Sequence, residues 1–151
     1  MRWLTCLLFL APLWAQTPSK AVDAVLDDWH QAAAKADEAR YFGHFAASGV
    51  FMGTDATERW TVPEFRAWAK SAFNRKATWN FHPRDRHVSF SADGAVVWFD
   101  EMLDTANLGV CRGSGVLIRE RGEWKIAQYN LSVPIPNSIV DKLVKEIGAA
   151  K

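Results

Sequence analysis

Cysteine is nearly absent from this chain, with only Cys6 and Cys111 present. Cys6 lies in an N-terminal apolar run that reads as an export signal, so the exported chain would keep one thiol. One thiol excludes an internal disulfide, and stability must come from packing. A surplus of charge is lacking as well: 18 Lys and Arg face 17 Asp and Glu. Removal of Arg2 with the leader would leave 17 of each sign (18 − 1). A balanced chain has no overall field to draw it to nucleic acid or anionic lipid. Internal repeats and long Pro, Gly or Ser tracts are missing too, which argues against linkers and modular arrays.

The leader is read from Arg2, the apolar run Leu4–Trp14, and Ala15 before Gln16. The run is well short of the ~20 residues that span a bilayer. Cleavage, rather than permanent anchoring, is the expectation, with a periplasmic or secreted product and no membrane attachment afterwards. Residues 1–15 are thus the signal peptide and residues 16–151 one domain, a size that fits a single core.

The mature chain opens with helical periodicity. Thr17-Pro18-Ser19 is a helix start. Val22, Val25, Leu26, Trp29 and Ala33 follow on one face. Asp37 can cap a shorter helix that turns Tyr41, Phe42 and Phe45 inward. Val50-Phe51-Met52 reads as a short strand with Gly53-Thr54-Asp55 as its turn. Thr61 and Glu64 form a capping box with Pro63 in the first turn, ahead of Phe65, Trp68, Ala69, Ala72 and Phe73 at helical spacing.

From Thr78 the period changes to two. Strands are expected over Thr78–Ser91, Ala95–Leu103, Leu108–Glu120 and Glu123–Val133, with turns at Asp93-Gly94 and Arg121-Gly122. Pro83 should mark a bulge or bend. Asn137 then caps a last helix carrying Ile139, Val140, Leu143, Val144 and Ile147. Helices first and a meander afterwards give the α+β class.

A two-residue turn at Asp93-Gly94 pairs Phe90 with Val97, Val88 with Phe99 and Arg86 with Glu101. His87 and Asp100 then meet on the opposite face. This register matches apolar to apolar and acid to base, whereas a three-residue loop would set Asp85 against Glu101. Val96, Trp98 and Met102 form a second apolar face on the same strand. Such a face suits a second subunit, so a homodimer anchored by Trp98 is expected.

Cys111-Arg112-Gly113-Ser114-Gly115-Val116-Leu117, followed by Gly122-Glu123-Trp124-Lys125-Ile126-Ala127-Gln128-Tyr129-Asn130-Leu131-Ser132, resembles the final hairpin of SnoaL-like proteins. Gly53-Thr54-Asp55, Glu58-Arg59-Trp60 and Trp98-Phe99-Asp100-Glu101 are similar to that branch of the nuclear-transport-factor-like superfamily. The resemblance runs from about Val22 to Pro136. It implies a curved antiparallel sheet wrapped around the N-terminal helices as a cone with a pocket, often dimeric through the sheet. Its motifs are structural, and no catalytic set of the family carries over residue by residue. The isomerase pattern, for instance, needs an Asp base facing a Tyr and a second acid, and the chain offers only Tyr41 and Tyr129.

The candidate ligand-binding residues are therefore Trp29, Phe45, Arg86, Phe99, Glu101 and Tyr129, with Glu101 the candidate general base. Against this stand a structural Arg86–Glu101 ion pair, a core Tyr129 whose facing is open, and aromatic side chains that are first of all core. Cys111 reads as a buried filler. His30, His44, His82 and His87 lack a metal-ligand spacing, so neither a metal nor another cofactor is expected. Asn130-Leu131-Ser132 matches a glycosylation acceptor but lies inside a strand. Two functions remain: a module that binds a small apolar ligand or assembles, and a cofactor-independent lyase, isomerase or cyclase.

Overall fold

A computed structural model of the chain describes residues 18–76 and 78–149. The expected export signal lies outside the described residues. Helix α1 (Pro18–Ala34) buries Val22, Leu26, Trp29 and Ala33, the stripe that its periodicity marks. A second stripe, Asp23, Asp27 and His30, runs beside it at the same helical spacing and meets the sheet. Asp37 caps α2 (Glu38–Gly43) by accepting the Arg40 amide at 3.1 Å. Asp28 ties α2 back to α1: it pairs with the Arg40 guanidinium and with His44 Nε2 at 2.8 Å. The Arg40 hydrogen bond, helped by His44, outweighs burial and holds the Asp28 carboxyl at about 2.

Six strands form one open, curved sheet in the order β2-β1-β6-β5-β4-β3. β3 (His82–Phe90), β4 (Val96–Thr105), β5 (Gly109–Glu120) and β6 (Glu123–Ser132) make the expected antiparallel meander. β1 (Phe45–Met52) is longer than its apolar triplet suggested and joins β6 in parallel. β2 (Arg59–Thr61), which period-two reasoning did not mark, pairs with β1. Helix α3 (Val62–Phe73) starts where expected, with Glu64 Oε2 accepting the Thr61 amide at 2.8 Å. Helices α1 and α3 cover the concave face, and nearly half of the buried core residues are aromatic.

The β3–β4 register is the one argued from charge and apolar matching: Phe90 opposes Val97, Val88 opposes Phe99, and His87 opposes Asp100. The connection is wider than two residues, however. Asp93 Oδ1 accepts the Ser91 hydroxyl at 2.6 Å and the Ala95 amide at 3.0 Å, so local side-chain bonds replace the last ladder pair. Pro83 stays in the strand opposite Leu103, and the register shift falls between Arg84 and His87 instead. β3 is an edge strand, where a missing N–H is tolerated. Arg86 falls inside that shift, so it and Glu101 are not a ladder pair, but it keeps the alternation of Val88 and Phe90, faces inward and meets Glu101 through its side chain.

Two helical expectations need correction. Trp68 is not core: it is 54 % exposed, while Phe65, Ala69, Ala72 and Phe73 on the same helix are buried. Its indole lies at the surface, stacked on Trp60 with ring centroids 4.8 Å apart. Asn137 does not cap the last helix: it begins a 3₁₀ turn (Asn137–Ile139), entered from Pro136 without a side-chain cap bond, and α4 (Val140–Ala149) follows, with no residue of the segment buried. Its apolar stripe of Ile139, Val140, Val144 and Ile147 is exposed.

Candidate functional site

Inward-facing residues of β4 and β5 determine how deep the concave face is. Glycine stands at 113 and 115, and both point inward. A Cβ at 113 would collide with the Tyr129 hydroxyl, and one at 115 with the Phe99 ring and the Gln128 carbonyl. The missing methyl groups let Tyr129 and Phe99 lie flat against the sheet.

Above them is a cavity of about 210 Å³ between α1, α3, the 53–58 loop and the 107–108 loop. Nine aromatic side chains line it: Trp29, Tyr41, Phe51, Trp60, Phe65, Trp68, Trp79, Phe81 and Tyr129. The remaining lining residues are His30, Gly53, Thr54, Glu58, Asn107, Leu108 and Leu131. Seven of the rings fall into two orientations. Phe51, Trp60, Trp79 and Tyr129 form a near-parallel set around Phe65, with Phe65 3° from Trp60, 13° from Phe51 and 19° from Trp79. Trp29 and Tyr41 cross that set, at 63° to Tyr129 and 73° to Trp79. Trp29 Nε1, Tyr41 Oη and Tyr129 Oη are buried without a hydrogen-bond partner among the described residues. Burial holds both phenols well above their ordinary range, so they are neutral donors.

A charged network stands behind the aromatic wall. Glu101 is 0 % exposed, yet both its oxygens are engaged. His30 Nε2 lies 2.7 Å from Oε1, and Arg86 Nε donates to Oε2 at 2.8 Å. Arg86 Nη2 lies 2.8 Å from that same Oε2 and 2.9 Å from Asp27 Oδ1, and Nη1 donates to Asp23 at 3.3 Å. Burial pushes Glu101 up, but the His30 hydrogen bond with the charges of His30 and Arg86 outweighs it and leaves the carboxyl below its usual value. Arg86 is held above its own: burial lowers it, and Glu101 and Asp27 more than restore it. Glu101 is therefore an ionised, fully occupied carboxylate, and a poor general base.

Of the six candidate binding residues, Trp29 and Tyr129 line the cavity. Arg86 and Glu101 stand behind it, joined to it through His30. Phe45 and Phe99 belong to the packed core, against Trp29 and Tyr129 respectively. Sequence reasoning dismissed His30 with the metal ligands, yet it is the residue that connects network and cavity. The stripe Asp23-Asp27-His30 was the available signal, because an inward Arg86 needs acids from the facing helix. Cys111 is a buried filler, and burial raises its thiol. Among the described residues no His, Cys, Asp and Glu cluster suited to a metal occurs.

A sequence model of the SnoaL-like domain matches residues 22–136. No curated protein matches the sequence. Solved structures share the fold at low identity. An NTF2-like protein of unknown function from Pseudomonas putida KT2440 is 12 % identical, with a TM-score of 0.67 over 82 % of this chain and 92 % of that one. A candidate scytalone dehydratase from Novosphingobium aromaticivorans is 8 % identical, with a TM-score of 0.65 over 78 % and 84 %. A candidate calcium/calmodulin-dependent protein kinase II association domain from Xanthomonas campestris is 20 % identical, with a TM-score of 0.61 over 84 % and 94 %.

Proposed function

Because the chain belongs to the SnoaL-like domain family, we propose that its aromatic cavity is the binding site of a small, largely apolar molecule bearing at least one polar atom. The observation that carries this reading is the three buried, unpartnered polar atoms of Trp29, Tyr41 and Tyr129 around the cavity. Buried polar groups normally have partners, and a ligand oxygen would supply one. Size narrows the choice. A cavity of about 210 Å³ lies between an apolar cavity of about 150 Å³ that takes benzene and the ~300 Å³ where drug-sized pockets begin. One or two rings, or their equivalent in bulk, would fit.

Titration with 2-naphthol, followed by tryptophan fluorescence, tests the reading. Saturable quenching is expected, and it should be lost in Leu108→Trp, which fills the rim. Quenching that rises linearly with concentration and is indifferent to Leu108→Trp would refute it.

One observation favours a second reading, a cofactor-independent lyase or isomerase. Glu101 fixes His30 Nε2 at 2.7 Å, an orienter and an acid/base group beside the cavity. The role sought for a carboxylate thus passes to His30. A bound ketone such as 2-tetralone would then exchange its α-hydrogens in deuterated water, and His30→Gln would stop the exchange. Export and self-association through the outer sheet face complete the proposal.

A further inference from the structure

Apolar character alone does not explain the charge around this cavity. Its lining contains no Lys or Arg, and its one carboxylate, Glu58, sits in the 53–58 loop at the mouth. Glu58 is held there across Gly53, where a Cβ would collide with the carboxylate, and its Oε2 accepts the Asp55 amide at 3.3 Å. The network behind the wall sets three carboxylates, Glu101, Asp23 and Asp27, against Arg86 and His30. His30, the one lining side chain able to carry positive charge, is tied to the Glu101 carboxylate. The field at the cavity therefore has a negative source on both sides.

The ring geometry points the same way. A flat ligand stacks on one set of parallel rings and leaves the crossing set edge-on. Here the two sets cross at 63–73° and meet edge to face. A compact, round group touches both. At the mouth Trp60 and Trp68 stack at 4.8 Å, and Trp79 lies 6.5 Å from Trp68. Trp68 keeps its indole half in solvent, a placement that core packing does not account for. Several electron-rich rings with a carboxylate at the rim form the arrangement that holds a desolvated organic cation.

We propose that the ligand of this cavity is a small quaternary or tertiary ammonium compound that also bears an oxygen, its alkylated nitrogen caged by Trp60, Trp68, Trp79 and Tyr41, its charge faced by Glu58 and its oxygen left to the buried donors. The assignment rests on the binding role proposed above and names the ligand class.

Choline and tetramethylammonium, compared with 3,3-dimethylbutan-1-ol by calorimetric titration of the full chain, provide the test. The butanol matches choline in shape, with carbon in place of the charged nitrogen. Both ammonium probes should bind saturably, and the butanol should bind at least about tenfold more weakly, the ratio one desolvated cation–π contact supplies. Glu58→Gln should weaken choline and leave the butanol unchanged. Trp68→Ala, at an exposed position that the core does not need, should weaken choline as well. Equal affinity for choline and the butanol would overturn the assignment, as would failure of both ammonium probes. If 2-naphthol binds while both ammonium probes fail, the cavity is a binding site of another class. If nothing binds, the binding role falls too.

Discussion

Arg86 is the residue on which the interior charges depend. It is one guanidinium answering Glu101, Asp27 and Asp23, and only Glu101 among the three is fully buried. Arg86→Met would leave the Glu101 charge in the interior with His30 as its remaining partner. Removing one member of a buried pair costs about 3–5 kcal/mol, and that range is expected here in urea unfolding. The acid limb should change with it. Glu101 titrates below its unfolded value, so its contribution is complete above the unfolded pKa, near 4.5, and is lost as pH falls through the lower folded value. Arg86→Met should move that loss to higher pH. An unfolding free energy within about 1 kcal/mol of the unaltered protein, with the same acid midpoint, would show the network to be dispensable. The Arg86–Glu101 pairing was legible in the sequence because a β-hairpin is local and its charges could be matched. The His30 contact joins residues 71 positions apart: the Asp23-Asp27-His30 stripe marks the helix face that meets the sheet, but not which strand residue His30 meets.

At the level of elements, strands and helices were read best where their own side chains decide them. The Thr61–Glu64 box, the α1 stripe and the meander all follow from local chemistry and period. The parallel β1–β6 pairing and the three-residue β2 depend on a partner strand supplied by the fold, and so left no mark of their own. α4 illustrates the same divide. Its amphipathic spacing announced a helix, but the surface it meets is not encoded in that spacing. With no residue buried, α4 should add little to the stability of a single subunit. A chain ending at Pro136 should unfold within about 1 kcal/mol of the full chain. A loss of several kcal/mol at concentrations where the protein is monomeric would mean that α4 packs on its own sheet in solution.

For the molecule as a whole, the unanswered surface is the outer face of the sheet. Val96, Trp98 and Val110 are exposed there, and Trp98, at 50 %, stands in register with Val116 and Ser89. The exposed stripe of α4 adds further apolar area that one copy leaves uncovered. We propose that a second copy of the chain covers this face. Trp98→Arg should then give a soluble monomer by light scattering, since an interface anchor of this kind is worth about 2 kcal/mol or more. Phe99→Ala, one residue along but facing inward, should instead cost about 3–5 kcal/mol of fold stability without selectively changing association. If the unaltered chain is monomeric at high concentration, the dimer is excluded.

The stacking of Trp60 on Trp68 has an optical consequence. Two indoles 4.8 Å apart and 29° from parallel have transition dipoles close enough to couple, and a chiral pair of coupled dipoles splits into an exciton couplet in circular dichroism. The couplet depends on the angles and separations of those two rings and of Trp79, 6.5 Å from Trp68, not on total tryptophan content. Anything that enters between the mouth rings or reorients Trp68 would change its sign or amplitude. The native chain therefore contains its own chiroptical gauge of whether the cavity mouth is occupied.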